Sequence, residues 1–318
     1  MRGDVTASPL LALPGAVEGE GIDAGVAAHY GDPFREQKAL LAGEGFVDLS
    51  HRGVVRITGS DRLTWLHSLT SQHLTELAPD MPVATLVLSP QGHVEHALLG
   101  YDDGDSFWAH VEPDGATELV AWLDSMRFMM RVEVADVTSD WAAVARDQLR
   151  VQLVRRNELA ELSTGGSFEG ARACGTWAFE ALRIARGEPR LGIDTDARTI
   201  PNEVGWIGTA VHLAKGCYRG QETIARIHNL GRPPRRLVRL HLDGSVDELP
   251  DSGAPVELDG RNVGFVGSAA RHHELGPIAL ALVKRNVDVQ VPLLAGGIDA
   301  AQEVIVDPEV GLHVRARL

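Results

Sequence analysis

Residues 83–111 read VATLVLSPQGHVEHALLGYDDGDSFWAHV. The apolar run "VATLVLS" and the segment "VEHALLGYD" flank the turn "SPQGH", and "SFWAHVEP" follows as a third strand of the same meander. The next stretch, "GATELVAWLDSMRF", changes period, because Leu119, Trp122 and Leu123 fall on one helical stripe. "RVEVADVT" and "WAAVAR" then return to strand. Strand pairs interrupted by crossing helices imply an α+β fold rather than a doubly wound sheet.

Upstream, "PFREQKALLAG" predicts a short helix with a Pro start and a Gly stop. "GFVDLSHRGVVRITG" alternates from Val54 to Thr58 as a strand does. "SDRLTWLHSLTSQ" reads as a helix with Ser60 as N-cap and Leu63, Leu66 and Leu69 at helical spacing. Downstream, "GTWAFEALRIARGEP" is the clearest helix, with Trp177, Leu182 and Ile184 among its expected buried residues. Past residue 236 short strands with turn residues take over: "RRLVRLHLDG", "APVELDGRNVGFVGSAAR", "IALALVKR" and "GLHVRARL". Three segments follow: an extended lead-in (1–32), an α+β region of two subdomains (33–235) and a β-rich C-terminal domain (236–318).

At 318 residues, 44% apolar and 23% charged, the chain suits a soluble protein of two or three packed units. No run approaches twenty apolar residues, so no membrane span is expected. A formal charge of -14 argues against a general binder of nucleic acid or anionic membrane. Two cysteines exclude a disulfide framework and a four-cysteine metal site. A Cys174–Cys217 bridge stays open, with reduced thiols and a cytoplasmic location expected. His93 and His96 lie three apart on a strand and so face opposite sides, which does not make a metal pair; no metal is expected.

The chemistry concentrates in "KGCYRGQE", residues 215–222. If residues 215–217 are extended, Lys215 and Cys217 share a face. An ammonium and a nearby helix N-terminus favour the thiolate, the reactive form of a cysteine. Gly216 and Gly220 permit close approach or a sharp turn. A helix is expected from Gln221, which would place Glu222 and Arg226 four apart on one side. From residue 215 to 239 seven cations, Lys215, Arg219, Arg226, Arg232, Arg235, Arg236 and Arg239, meet one acid, Glu222. A local +6 inside so acidic a chain suggests a site for an anionic small molecule. The plainer reading, a small buried thiol and a solvated arginine-rich edge, stands beside it. Cys174 is read that way, as structural.

"KGCYRGQE…AR" resembles the signature of the YgfZ family, folate-binding proteins of iron–sulfur cluster assembly and repair. "VDLSHRGVVRITGSDRLTWLHSLTSQ", "LSPQGHVEHALLGY" and "LRIARGEPRLGIDTDARTIPNEVGW" are similar to successive segments of the wider T-protein superfamily, which includes the aminomethyltransferase of glycine cleavage. The resemblance implies a T-protein-like multidomain ring with a C-terminal β-barrel-like domain and tetrahydrofolate, or a one-carbon derivative, at its centre. It makes Cys217 the working thiol with Lys215 and Arg226 beside it, while Glu203 of "PNEVGW" grips the pterin. Gly216, Tyr218, Gly220, Gln221 and Glu222 complete the expected cofactor loop. Iron–sulfur assembly proteins or client enzymes are the implied partners.

The chain also departs from the aminomethyltransferases. Where they carry an aspartate that positions the attacking folate nitrogen, "QGHVEH" places His96, so transfer chemistry is in question. Ala185 stands where many relatives have an acid. Two alternatives stay open: a folate-dependent aminomethyltransferase or demethylase, and a folate-binding regulatory protein without chemistry.

Overall fold

Alternating apolar residues and well-placed breakers are realised as seventeen short strands and five helices among the described residues, 7–146, 150–162 and 168–311 of a computed structural model. A hairpin of β1 (Val17–Glu18) and β2 (Ala27–His29) precedes helix α1 (Pro33–Leu41), then β3 (Gly45–Asp48), β4 (Gly53–Thr58) and α2 (Arg62–Leu69). The meander follows as β5 (Val83–Leu88), β6 (Val94–Asp102) and β7 (Ser106–Val111), and ends in α3 (Gly115–Ser125). Next come β8 (Glu133–Asp136), β9 (Trp141–Arg146), β10 (Arg150–Arg155), β11 (Arg172–Cys174) and α4 (Thr176–Ala185). Helix α5 (Gln221–Leu230) precedes β12 (Arg235–Leu242), β13 (Pro255–Leu258), β14 (Arg261–His272), β15 (Gly276–Lys284), β16 (Leu293–Ala295) and β17 (Ile298–Val304). The expected strand "GLHVRARL" (311–318) lies, past Gly311, outside the described residues.

The chain divides into two compact units, each built from separate pieces of sequence. The first comprises residues 1–62, 100–183 and 272–274. Its four-stranded sheet runs β10-β9-β3-β11, antiparallel except where β11 lies parallel to β3, with Cys174 opposite Val47. Successive residues of β3 point to opposite faces, as the strand period requires. Val47 packs with Leu40, Leu49, Phe179 and Leu182 on the face covered by α1 and α4. Phe46 faces Leu10, Val144, Leu159 and Phe168 on the other. Leu10 belongs to the lead-in, whose 3-10 turn (Pro9–Ala12) buries that side chain, a burial of about 1.5–3 kcal/mol. The same unit holds β4 between β7 and β8, both antiparallel to it.

Helix α1 starts as its sequence predicts: the Asp32 carboxylate accepts from Arg35 N at 3.0 Å and Pro33 sits at the first helical position. On α4, Leu182 and Ile184 are buried as expected, but Trp177 is 55% exposed and stacks on His29, with ring centroids 4.9 Å apart. The helical stripe turns Ala178, Ala181 and Leu182 inward, which leaves the first-turn Trp177 outside it.

The second unit comprises residues 63–99, 184–271 and 275–318. The six C-terminal strands close into a barrel in the order β12-β15-β14-β13-β16-β17, filled by Val238, Leu240, Val256, Val266, Val283 and Leu293. Closure removes the free edges such short strands would otherwise expose. A separate core in this unit gathers Leu86, Leu88, Val94, Ile200, Tyr218 and Ile224. It therefore unites three segments far apart in sequence: the SPQGH hairpin, the PNE turn and the KGCYRGQE loop.

Candidate functional site

The KGCYRGQE loop is held at both ends. At its start, Lys215 is buried, and its ammonium donates to the carbonyls of His67, Thr70 (2.5 Å) and Gln72 (3.2 Å). These carbonyls belong to the last turn of α2 and the residues just after it, where a helix leaves acceptors without intrahelical donors and favours a cation. Burial pushes the Lys215 pKa down to about 8. The ammonium also lies 5.0 Å from the centroid of the Tyr218 ring, and burial raises the Tyr218 pKa to about 12.

At the other end, Gly220 adopts φ 82°, and a Cβ there would fall 2.6 Å from the Ser89 carbonyl oxygen and 2.9 Å from Gly92 Cα. The SPQGH turn thus packs directly on the N-terminus of α5, and only glycine fits at the junction. Arg219 donates to Glu95 of β6 at 2.9 Å, a second tie between loop and hairpin. Gln221 folds back, its Nε2 3.5 Å from the Lys215 carbonyl oxygen.

Cys217 sits between these anchors as an exposed free thiol, whereas Cys174 is free and buried. Burial drives the Cys174 pKa up to about 12. Lys215 and Cys217 therefore part, one side chain turning inward and the other outward. Gly216 is exposed, as are Glu222 and Arg226 on α5. No ion pair joins Glu222 to Arg226 among the described residues.

Glu203 ends a 3-10 turn (Pro201–Glu203), and its side chain has no exposed surface. Its Oε1 accepts from Arg235 Nε at 2.8 Å; Oε2 accepts from Arg235 Nη2 at 2.9 Å and Ile200 N at 3.1 Å. The far side of the same guanidinium pairs with Asp196 at 2.6 Å and 3.0 Å. Hydrogen bonds from Arg235 hold the Asp196 pKa at about 2. Burial works against the Arg235 charge, but the hydrogen bonds to Glu203 and Asp196 prevail and raise its pKa. Neighbouring Asp194 is structural: it accepts from Arg190 N and Ser268 N at 2.8 and 2.7 Å, pinning the stretch after α4 to β14.

The expected cationic cluster is dispersed. Arg232 pairs with Glu309, Arg235 with Glu203 and Asp196, and Arg239 with Glu303. Arg236 is buried at the barrel, donating to the Val287 carbonyl and Gln302. Their partners lie far along the chain, which is why a count of charges between 215 and 239 predicts a convergence that does not form.

Sequence reasoning missed a group beside the loop. His67, His73 and His212 pack edge to face, with centroids 4.8 and 5.4 Å apart. Burial, then Lys215 and the other two imidazoles, lowers the His67 pKa. No helical or strand period links residues 67, 73 and 212, so only the tertiary fold reveals them. His96 lies half-buried on β6.

Residues 28–145 match the GCVT N-terminal domain, and residues 235–317 match the glycine cleavage T-protein C-terminal barrel domain. "Putative transferase At1g60990, chloroplastic" from Arabidopsis thaliana is 25% identical over 267 residues, covering 70% of this chain and 61% of that protein. The chain thus spans less than two thirds of that relative. The aminomethyltransferases of Synechococcus sp. (strain CC9311) and Geobacillus kaustophilus (strain HTA426) are 26% and 27% identical over 305 residues. Those alignments cover 77% and 79% of this chain and 81% and 82% of the two enzymes. The crystal structure of glycine cleavage system aminomethyltransferase T from Bartonella henselae superposes with a TM-score of 0.76 at 17% identity, covering 93% of this chain and 94% of that one. At that identity the likeness is one of fold. The chain therefore has GcvT-like domains, matching the GCVT N-terminal domain and the T-protein C-terminal barrel domain over separate segments, on a T-protein-like fold with a closed C-terminal barrel.

Proposed function

We propose that this protein binds a reduced folate, tetrahydrofolate or a one-carbon derivative, and supports the maturation or repair of iron–sulfur enzymes through Cys217. One observation carries the reading: an exposed thiol stands on a loop fixed by Lys215 on one side and by Gly220 on the other. A thiol so placed is open to a partner protein while its backbone stays in register. Lys215 and Gly220 hold the loop, Tyr218 roots it in the core, and Arg226 is the exposed cation of the following helix. Two unbridged cysteines suit a reducing compartment, so the reading places the protein in the cytoplasm. No helix among the described residues is long and apolar enough to cross a membrane.

Folate binding rests on the two T-protein domains and on the resemblance of the motif. Glu203 has the chemistry to pair with the 2-amino-pyrimidine edge of a pterin. As arranged, though, it does not fit that task, because it is fully buried and both oxygens accept from Arg235. Its role here is to hold Arg235.

A deletion strain carrying wild-type protein or Cys217→Ser tests the proposal, with an iron–sulfur enzyme activity as readout. In parallel, reduced folate is titrated against both proteins by intrinsic Trp fluorescence. The variant is expected to keep saturable folate binding and lose the rescue. Full rescue by Cys217→Ser would favour a regulatory folate binder without thiol chemistry.

The second reading, a folate-dependent aminomethyltransferase or demethylase, is favoured by the aminomethyltransferase homologues. It is opposed by His96 at the aspartate position. Turnover from a methylamine-type donor to tetrahydrofolate that survives Cys217→Ser would establish it.

A further inference from the structure

The loop after α3, Arg127-Phe128-Met129-Met130-Arg131, carries the most exposed apolar side chains among the described residues. Phe128 is 85% exposed and Met129 is 96% exposed. Both lie in the unit formed by residues 1–62, 100–183 and 272–274, whereas Cys217 belongs to the other unit.

The loop is tightly held. Asp61 accepts from Arg131 N at 2.9 Å, from Nε at 3.1 Å and from Nη2 at 2.7 Å. Gly59 (φ 107°) lets the backbone pass where a Cβ would fall 2.1 Å from the Arg131 carbonyl oxygen. Turn hydrogen bonds from Met130 N to the Arg127 carbonyl and from Val132 N to the Met130 carbonyl, both 3.0 Å, close the tip on itself. Phe128 is held at φ 46°, a left-handed conformation bulky residues rarely adopt. A fold that holds a phenylalanine there and leaves its ring in water has spent stability on presenting it.

The charges around the tip are lopsided. The Arg131 side chain is 77% exposed while its partner Asp61 is only 19% exposed, so the pair shows its cation outward. Arg127 lies on the tip's other flank, paired with Asp124. Because Asp124 is at least as exposed as Arg127, the outward cation of the tip is Arg131, beside the apolar wedge, on a chain of charge -14. Phe, Met and Arg are also the residue types enriched at the centres of protein interfaces.

We propose that this loop is a docking tip for a partner protein that offers an apolar cleft with a carboxylate rim, Phe128 and Met129 entering the cleft and Arg131 meeting the rim. A second copy of the chain is a poorer occupant. Two such tips would bury far less than the roughly 800 Å² per partner of a stable interface, and two copies of charge -14 repel. An anionic membrane is disfavoured by the same net charge. The tip's preset conformation lowers the ordering cost of association.

The test uses the full-length chain with a photo-crosslinking side chain at position 129, irradiated in cells. The captured protein is then purified and titrated against wild type, the Phe128→Ser/Met129→Ser double variant and Arg131→Glu. Loss of affinity by at least about 30-fold in the double variant is expected, the scale of two buried anchors. A several-fold loss is expected for Arg131→Glu, restored when a rim carboxylate of the captured protein is changed to lysine. Failure to capture a protein, or equal affinity for all variants, would overturn the proposal. So would co-sedimentation of the tip-dependent fraction with phosphatidylcholine or phosphatidylserine vesicles. Tip-dependent dimerisation in sedimentation velocity would replace the partner protein with a second copy.

Discussion

Arg235 closes on Glu203 with two hydrogen bonds, Nε to Oε1 at 2.8 Å and Nη2 to Oε2 at 2.9 Å, across the junction between the PNE turn and the first barrel strand. One member of this pair is fully buried, so removing the other strands a charge without a partner. Arg235→Met is expected to cost about 3–5 kcal/mol in urea unfolding, and Glu203→Gln, which keeps an acceptor, markedly less. Equal costs would mean that the guanidinium is not what Glu203 serves. Asp196 adds an acid limb. Its folded pKa of about 2 lies below the ordinary value, so its contribution is complete above about pH 4 and is lost as pH falls toward 2. Asp196→Asn should flatten that limb.

The two thiols should separate cleanly under a thiol reagent. Cys217 is exposed, while Cys174 is 1% exposed with its pKa driven to about 12. One equivalent per folded chain is expected to react rapidly and to vanish in Cys217→Ser. The second should react only at the rate of unfolding.

Gly220 and Gly92 share φ 82° and a contact, but they are not equally replaceable. A Cβ at Gly220 meets backbone, the Ser89 oxygen at 2.6 Å, whereas one at Gly92 meets the Thr223 side chain at 3.1 Å. Gly220→Ala should cost about 1–3 kcal/mol and Gly92→Ala less, because a side chain can give way where backbone cannot. The Cys217 labelling rate should change more in the first variant.

Lys215 should write itself into the alkaline limb of the stability curve. Its folded pKa of about 8 lies below the unfolded value of about 10.4. Between those values the unfolded chain binds more protons, so this group makes stability rise with pH across the window. Lys215→Met should lose that slope. At pH 7 it should also be less stable by about 1–3 kcal/mol, because three carbonyls lose their donor. Chemical denaturation from pH 7 to 10.5 measures both effects.

Elements with a strong local period were legible in the chain itself: α1 between Pro33 and Leu41, the β5–β6–β7 meander, α5 from Gln221 and the C-terminal strands. The ends of the KGCYRGQE loop were legible as glycines. Their purpose was not, because the atoms that make glycine necessary at 220 belong to residues 89 and 92. The cations are not legible for the same reason. Counting charge along a segment assumes that the segment is its own environment, yet Lys215 answers to α2 and Arg235 to Glu203. Trp177 lies outside the buried stripe of α4, which its size and apolar character alone do not reveal.

The two units interleave along the polypeptide, residues 63–99 of the second being enclosed between pieces of the first. A nascent chain leaving the ribosome must therefore carry that meander segment through about a hundred residues of further synthesis before its core partners Ile200, Tyr218 and Ile224 exist. No contiguous fragment consists of one unit alone. Dissection by truncation should yield insoluble pieces, and refolding should be slowed by the long closures that such wiring imposes.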